Sequence, residues 1–156
     1  MWLGLAVALV VVVLDQASKA WILGFFAERG GEPVAVLTSF FNLVLTGNRG
    51  MSFGLFNTNA ALNTVIFTGL AAVIVITLLL WLRRAHNSVI RVALGMIIGG
   101  AIGNVIDRLM RGAVVDFLDF HIGAWHWYAF NLADAAICLG VIALLLDGLL
   151  ARPKAA

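Results

Sequence analysis

The strongest constraint on this chain is a series of four long apolar stretches. The plainest of them, residues 60–82, has 23 residues and no charged side chain. About 20 apolar residues in a helix cross the ~30 Å hydrocarbon core of a bilayer, where lipid gives the backbone no hydrogen-bond partner. The other stretches cover about residues 2–26, 89–109 and 128–150. The sequence therefore predicts an all-α membrane protein with four transmembrane helices.

The composition excludes most soluble classes of protein. Of 156 residues, 63% are hydrophobic and only 12% are charged, about half the usual share of a soluble domain. So few charges could not cover the surface that a soluble domain of this size exposes. The ten Lys and Arg residues are scattered, so no nucleic-acid partner is expected. The single cysteine, Cys138, excludes an internal disulfide.

The first apolar stretch has two possible interpretations. Residues 2–14 have the length of a signal-peptide core, but no Lys or Arg precedes Lys19, and residues 20–26 are apolar again. A cleaved signal peptide has a basic start and a small-residue cleavage site. These differences favour a retained helix.

The basic residues favour one orientation in the membrane. Arg83, Arg84 and Arg91 cluster between the second and third stretches, and Arg152 and Lys154 follow the fourth. Four arginines lie on the other side, so the excess is only five to four. A compact basic cluster in a short loop is nevertheless typical of the cytoplasmic side. We therefore expect both termini in the cytoplasm.

The segments expected outside the cytoplasm carry β-like and aromatic patterns. Residues 41–46 alternate, a turn-like sequence follows at 47–50, and residues 51–56 complete what reads as a hairpin. Residues 114–121 form a further extended run, and Trp125 follows in an aromatic loop. We expect a small extracytoplasmic β-hairpin or β-sheet platform and an aromatic loop at the membrane interface.

The polar residues of the helices fall at one depth. At 1.5 Å per residue, Asp15 lies roughly 20 Å along the first helix, and Asn104 and Asp107 lie roughly 22 and 27 Å along the third. Asp134 lies near the outer end of the fourth helix. Ionisable groups inside a bilayer are costly and usually mark a functional site. The predicted polar layer comprises Asp15, Lys19, Asn104, Asp107, Arg108 and Asp134, with Asp116 just above it.

A stripe of glycines on the third helix predicts close helix packing. Gly95, Gly99 and Gly103 recur every four residues, and Asp107 continues the stripe. Small residues at this spacing let two helices approach closely. The stripe would therefore bring Asn104 and Asp107 near another helix.

Asp116 and Asp134 are the candidates for catalysis. Two carboxyl groups in a pocket of low dielectric constant cannot both ionise cheaply, so they share a proton. One can then act as base on a water molecule while the other polarises a peptide carbonyl. The alternative is that Asp116 is a loop residue and Asp134 caps the fourth helix, and the nearby Asn131 fits either interpretation.

Other polar residues have simpler interpretations. Asp15 and Lys19 are four residues apart and read as a neutralising pair, as do Asp107 and Arg111. Asn48 reads as a turn residue and Asp119 as an exposed loop acid. The sequence has no HExxH, Gly-x-Ser-x-Gly or Walker motif, so we expect neither a metal nor a nucleotide site.

Five motifs resemble those of bacterial lipoprotein signal peptidases (signal peptidase II), in the same order and over nearly the whole chain. They are Leu14–Lys19, Asn48–Gly54, Gly103–Arg108, Gly112 with Val115–Phe117, and Phe130–Asp134. Each motif is short, but five in order are specific. The sequence departs from many members at Met51 and Ser52, where small residues are common.

The resemblance implies an intramembrane aspartyl endopeptidase. Such enzymes remove the signal peptide from lipid-modified prolipoproteins by cleaving just before the diacylglyceryl-cysteine, with a carboxylate dyad that activates water. The implied dyad is Asp116 and Asp134. The positions implied to support the site or contact substrate are Asp15, Lys19, Asn48, Asn104, Asp107, Arg108, Asn131 and Ala133.

The resemblance also implies where and with what the protein works. We expect a single integral membrane peptidase domain over residues 1–156, in the bacterial inner membrane, with its active site near the extracytoplasmic face. Its partners would be a lipidated prolipoprotein and membrane lipid, with no cofactor and no metal. Because one chain holds all the motifs, a monomer is expected.

Two other classes of protein remain as alternatives. A small proton-coupled carrier also places acids inside a helix bundle. It would need polar groups leading to the cytoplasmic side, whereas residues 74–82 of the second helix carry no charged side chain and the acids stop at one level, apart from Asp147 near the inner end. A structural assembly subunit would use the glycine stripe for partner helices, and it would tolerate replacement of Asp116 and Asp134 by asparagine.

Overall fold

The computed structural model describes residues 1–30, 32–49 and 60–150. Within them, four helices and four strands follow one another in the order α1 Trp2–Glu28, β1 Val34–Val36, β2 Phe41–Asn48, α2 Ala60–Arg84, α3 Ser88–Arg111, β3 Val114–Ile122, β4 Trp125–His126 and α4 Leu132–Leu150. Each helix is long and apolar enough to cross a membrane. The predicted fold class, four membrane-spanning helices with a small sheet, is confirmed.

The helix α4 begins at Leu132, later than the expected start near residue 128. The Asn131 Oδ1 atom accepts the N–H of Asp134 at 3.0 Å, and the Asp134 carboxylate accepts the N–H of Asn131 at 3.3 Å. This reciprocal pair satisfies amide groups that a helix start leaves free. The preceding residue, Phe130, instead pairs with Leu118 of β3.

The helix α3 lies at the centre of the bundle and packs against α1, α2 and α4. The glycine stripe makes this possible, as predicted. A Cβ atom at Gly99 would lie 2.6 Å from the carbonyl oxygen of Ala8 on α1. On α4, Gly140 has the matching role, since a Cβ there would lie 2.7 Å from the carbonyl oxygen of Ala93.

The four strands form one antiparallel sheet in the order β1-β2-β3-β4. The pairing of β2 with β3 sets Thr46 opposite Asp116 and Asn48 opposite Val114. An irregularity between Leu43 and Thr46 shifts the register on β2. The sheet thus brings the segment before α2 beside the segment after α3.

The predicted hairpin is only partly right. Its first arm is a strand, β2, but this strand runs through Gly47 and Asn48, which were expected in a turn. Its partners are β1 and β3, which lie far from residues 51–56 in the chain. The predicted second arm, residues 51–56, lies outside the described residues.

A hydrophobic cluster joins the sheet to the bundle. Ile22 and Phe26 in the last turns of α1 are buried against Leu43 of β2 and against Val115 and Phe117 of β3. Burying a side chain of this size contributes roughly 1.5–3 kcal/mol. The sheet is therefore held on the end of α1, directly above the helix turn that carries Asp15 and Lys19.

Replacing Gly99 by alanine should destabilise the bundle. The new methyl group meets a backbone carbonyl of α1, which cannot move aside without separating the helices, so we expect a loss of roughly 1–3 kcal/mol. Chemical unfolding in detergent micelles measures this. The matched control is Gly24→Ala on α1, where no atom lies within 4 Å of the new Cβ. Equal stability of the two variants would contradict the packing.

Candidate active site

Lys19 is the central cation of a buried polar cluster. Its side chain has no exposure, and its ammonium nitrogen lies 2.8 Å from Asp15 Oδ2 and 2.8 Å from Asp107 Oδ2. It also donates to Asn104 Oδ1 at 3.2 Å. The ammonium group therefore donates hydrogen bonds to Asp15 and Asn104 and forms an ion pair with Asp107 as well. The expected Asp15–Lys19 pair is therefore part of a larger network across α1 and α3.

Asp15 connects α1 to the start of α4. Its Oδ1 atom accepts the backbone N–H of Ala133 at 3.0 Å. A Cβ atom at Gly103 on α3 would lie 2.5 Å from Asp15 Oδ2, so only glycine leaves room for this carboxylate. Gly103 thus has a site role in addition to the packing role that the sequence predicted.

Asp107 connects α3 to the sheet. Its Oδ1 atom accepts from Arg111 at 2.6 Å and from Gln16 at 3.2 Å. Its Oδ2 atom accepts the backbone N–H of Val115 at 3.1 Å. The network therefore reaches the residue that precedes Asp116.

Gln16 was not among the predicted site residues. Its side-chain amide donates to Asp15, to Asp107 and to the carbonyl oxygen of Gly103 at 3.1–3.2 Å. Its position could have indicated this role, because Gln16 carries an amide side chain and directly follows Asp15, the first acid of the polar layer.

Two asparagine side chains link this cluster to the candidate dyad. Asn104 donates from Nδ2 to Asp134 Oδ1 at 2.8 Å. Asn131 donates from Nδ2 to Asn104 Oδ1 at 3.2 Å and to Asp116 Oδ1 at 2.7 Å. Because Lys19 also donates to Asn104, the hydrogen bonds run from Lys19 to both candidate acids.

Asp116 and Asp134 meet at Asn131. The Asn131 side chain donates to the Asp116 carboxylate and accepts the N–H of Asp134. Asp134 also closes the first turn of α4, so the catalytic and capping interpretations are compatible. Asp116 is buried on β3 and is not a loop residue.

The environment of Asp116 alters its acidity. Burial, followed by the negative charge of Asp134, raises the pKa of Asp116 to about 6, although hydrogen bonds from Asn48 and Asn131 oppose this. The two carboxyl groups are thus close enough to interact. Asn48 is the last residue of β2 and contacts Asp116 from the sheet, so it is more than the turn residue that its sequence context suggested.

Arg108 brings a positive charge to the same region. Its guanidinium lies near enough to Asp134 and Asp116 to interact electrostatically with both. It donates to the carbonyl oxygen of Asn104 at 3.4 Å and lies 5.6 Å from the ring centroid of Phe67 on α2. The structure therefore brings together all the predicted site residues: Asp15, Lys19, Asn48, Asn104, Asp107, Arg108, Asp116, Asn131, Ala133 and Asp134.

Asp119 belongs to a separate polar group. It is buried on β3 and not exposed in a loop as expected, and it accepts from Asn42 at 2.9 Å and contacts His126 at 2.9 Å. Burial raises its pKa, but the hydrogen bonds from Asn42 and His126 outweigh burial and leave the pKa below its usual value. Within residues 1–30, 32–49 and 60–150, no three His, Cys, Asp or Glu side chains group as metal ligands would.

Comparison with known proteins gives a consistent result. A family model described as signal peptidase (SPase) II matches residues 7–150. A lipoprotein signal peptidase of Rhodopseudomonas palustris (strain TIE-1) is 45% identical over 97% of this chain and 94% of its own length. One from Burkholderia cenocepacia (strain HI2424) is 50% identical over 95% of this chain and 87% of its own.

Two solved structures share the fold. A bacterial membrane enzyme determined by the in meso method at 1.9 Å resolution aligns with a TM-score of 0.77 and 28% identity, covering 96% of this chain and 94% of that one. A second, determined at 2.3 Å, aligns with a TM-score of 0.74 and 27% identity over 98% of this chain and 93% of that one.

Replacing Lys19 by methionine should destabilise the protein strongly. Asp107 would keep Arg111, but Asp15 would become a buried charge without a cation, which costs roughly 3–5 kcal/mol. Adding Asp15→Asn to Lys19→Met should recover part of this loss in chemical unfolding. The matched control is Arg29→Met, because Arg29 is exposed. No difference between the Lys19 and Arg29 variants would contradict the network.

The raised pKa of Asp116 predicts a dependence of stability on pH. An unfolded aspartate titrates near pH ~3.9, whereas Asp116 in the folded protein titrates at about 6. Between these values the folded state binds the proton more tightly, so its stability falls as the pH rises. The Tm of the wild type, relative to that of Asp116→Asn, should therefore decrease from pH 4 to pH 7. A constant difference would show that Asp116 is not perturbed.

Proposed function

The chain belongs to the signal peptidase II family, and we propose that Asp116 and Asp134 are the catalytic dyad with which it cleaves. Membership makes it a multi-pass bacterial membrane protein and an aspartic peptidase that removes signal peptides from prolipoproteins. We further propose that the cut falls just before the diacylglyceryl-cysteine. The observation that carries the dyad is the position of Asn131, hydrogen-bonded to both acids.

The dyad begins the reaction with one proton shared between two carboxyl groups. Burial and the charge of Asp134 raise the pKa of Asp116 to about 6, so Asp116 holds a proton more readily than an ordinary aspartate. Asp134 receives N–H donors on both oxygens, from Asn104 and from the backbone of Asn131. We infer that Asp116 is the acid and that Asp134, as carboxylate, is the base.

Hydrolysis then follows the usual logic of a carboxylate pair. Asp134 takes a proton from water as the water oxygen bonds to the carbonyl carbon of the scissile peptide. Asp116 gives its proton to the carbonyl oxygen, which forms a tetrahedral diol. When the C–N bond breaks, Asp134 returns a proton to the leaving amine of the cysteine, and a diol hydroxyl returns one to Asp116. The signal peptide leaves with a new carboxyl terminus.

The other site residues position the dyad. Asn48, Asn104 and Asn131 hold the two acids through direct hydrogen bonds. Lys19 holds Asn104 by a direct hydrogen bond, and Asp15, Asp107 and the backbone of Ala133 join α1, α3 and the start of α4 around it. Arg108 is placed to stabilise negative charge that develops on the substrate carbonyl.

We also propose an orientation and an assembly state. Both termini face the cytoplasm, and the sheet with its dyad lies at the extracytoplasmic face of the inner membrane, where the lipid anchor of the substrate resides. Residues 1–156 act as a single peptidase domain and as a monomer, since one chain supplies every hydrogen bond of the cluster. Membrane lipid, which surrounds the helix bundle, is the second partner besides the prolipoprotein.

Asp116→Asn and Asp134→Asn should each abolish cleavage. Asparagine keeps the shape of the side chain but cannot exchange the proton, and acid–base catalysis of this kind contributes about 10²–10⁴-fold in rate. The assay is cleavage of a lipid-modified prolipoprotein by purified protein, followed by the shift in product mass. The matched control is Asp147→Asn near the other end of α4, where Asp147 accepts from Asn87. Full activity of either dyad variant would refute the assignment of the dyad.

A further inference from the structure

A groove runs between α1 and α2 at the end of the bundle remote from the dyad. Its volume is about 480 Å³, and it is lined by Met1, by Leu5 of α1 and by Ile76, Leu79, Leu80, Leu82 and Arg83 of α2. The residues 76, 79, 80 and 83 lie one helical turn apart and so share one face of α2. This face is apolar along its length and ends in a cation.

The groove follows from the way the helices pack. Both α1 and α2 pack on α3 but scarcely on each other, which leaves a cleft between them. Leu82 closes its floor, because it is fully buried against α3 and against Gly4, where a Cβ atom would lie 2.5 Å from Leu82 Cδ1. Along its rim, Ile76 and Leu80 are 58% and 56% exposed. In a membrane-spanning helix such side chains face hydrocarbon.

The charged end of the groove has no acidic counterpart in the described part of the chain. Arg83 and Arg84 are both exposed in the last turn of α2, and among the described residues neither forms an ion pair. The acid of the adjoining end of α4, Asp147, accepts a hydrogen bond from Asn87 instead. An apolar groove that ends at the guanidinium of Arg83, with Arg84 beside it in the chain, matches a molecule with a hydrocarbon chain and an anionic head.

We propose that this groove is a binding site for an anionic glycerophospholipid. One acyl chain lies along Ile76, Leu79 and Leu80, and the phosphate meets the guanidinium of Arg83, with Arg84 adding charge. Guanidinium groups pair well with phosphate oxygens, and basic pockets between membrane helices select anionic headgroups. If both termini face the cytoplasm, as proposed above, the bound lipid lies in the cytoplasmic leaflet. The preference of the groove for an anionic headgroup depends neither on this orientation nor on the catalytic dyad.

The experiment compares dioleoyl-phosphatidylglycerol with dioleoyl-phosphatidylcholine. The purified full-length protein in detergent is mixed with equal amounts of both lipids, and bound lipid is counted by native mass spectrometry. We expect phosphatidylglycerol to be retained about fivefold over phosphatidylcholine, the ratio given by roughly 1 kcal/mol at one basic residue. The double variant Arg83→Gln/Arg84→Gln should lose this preference. Arg29→Gln, which removes an exposed arginine at the other end of α1, should keep it.

A second pair of variants tests the acyl-chain part of the site. Ile76→Trp places a large ring in the groove and should reduce retention of both lipids while leaving the ratio between them unchanged. The matched control is Ile66→Trp, which is similarly exposed on α2 but outside the groove, and it should retain lipid as the wild type does. Equal retention of the two lipids by the wild type, or a preference that survives Arg83→Gln/Arg84→Gln, would overturn the proposal.

Discussion

A single ammonium group, buried without any exposure, holds the candidate site together. Lys19 forms ion pairs with Asp15 on its own helix and with Asp107 on α3, and it donates a hydrogen bond to Asn104, so one cation offsets two buried carboxylates and orients an amide. Each acid completes its hydrogen bonds with a backbone N–H from a different element, Ala133 of α4 or Val115 of β3. Removing one member of such a cluster leaves an uncompensated buried charge, which costs several kcal/mol. Because alternative arrangements carry this cost, the cluster holds its members in one geometry.

The glycines of α3 make this polar cluster possible. Charged groups on α1 and α3 can bond directly only if the two backbones approach closely, and Gly99 allows that approach to α1. Gly103 then leaves the space that the Asp15 carboxylate occupies. Packing and polar bonding therefore depend on the same stripe, and a side chain added to it would disturb both.

The sheet supplies one of the two candidate catalytic acids. Asp134 comes from α4, but Asp116 comes from β3, and the two acids meet because Asn131 bridges them at the start of α4. The sheet is fixed to the bundle twice, by the apolar cluster around Phe26 and by the bond from Val115 to Asp107. Attachment at two points holds two carboxyl groups from different elements in place, as the proposed shared-proton chemistry requires.

The sequence alone determined the four helices, the polar layer and the glycine stripe, because all three depend on local spacing along a helix and on the cost of charge in lipid. It also pointed to Asp116 and Asp134, though not to their contact. Only the tertiary structure decided the partners of β2 and the role of Gln16. These depend on residues far apart in the chain, such as Asn48 beside Val114, whose meeting no local pattern encodes. The helices could thus be predicted from periodicity, whereas the connection of the two proposed catalytic acids through Asn131 required three-dimensional packing.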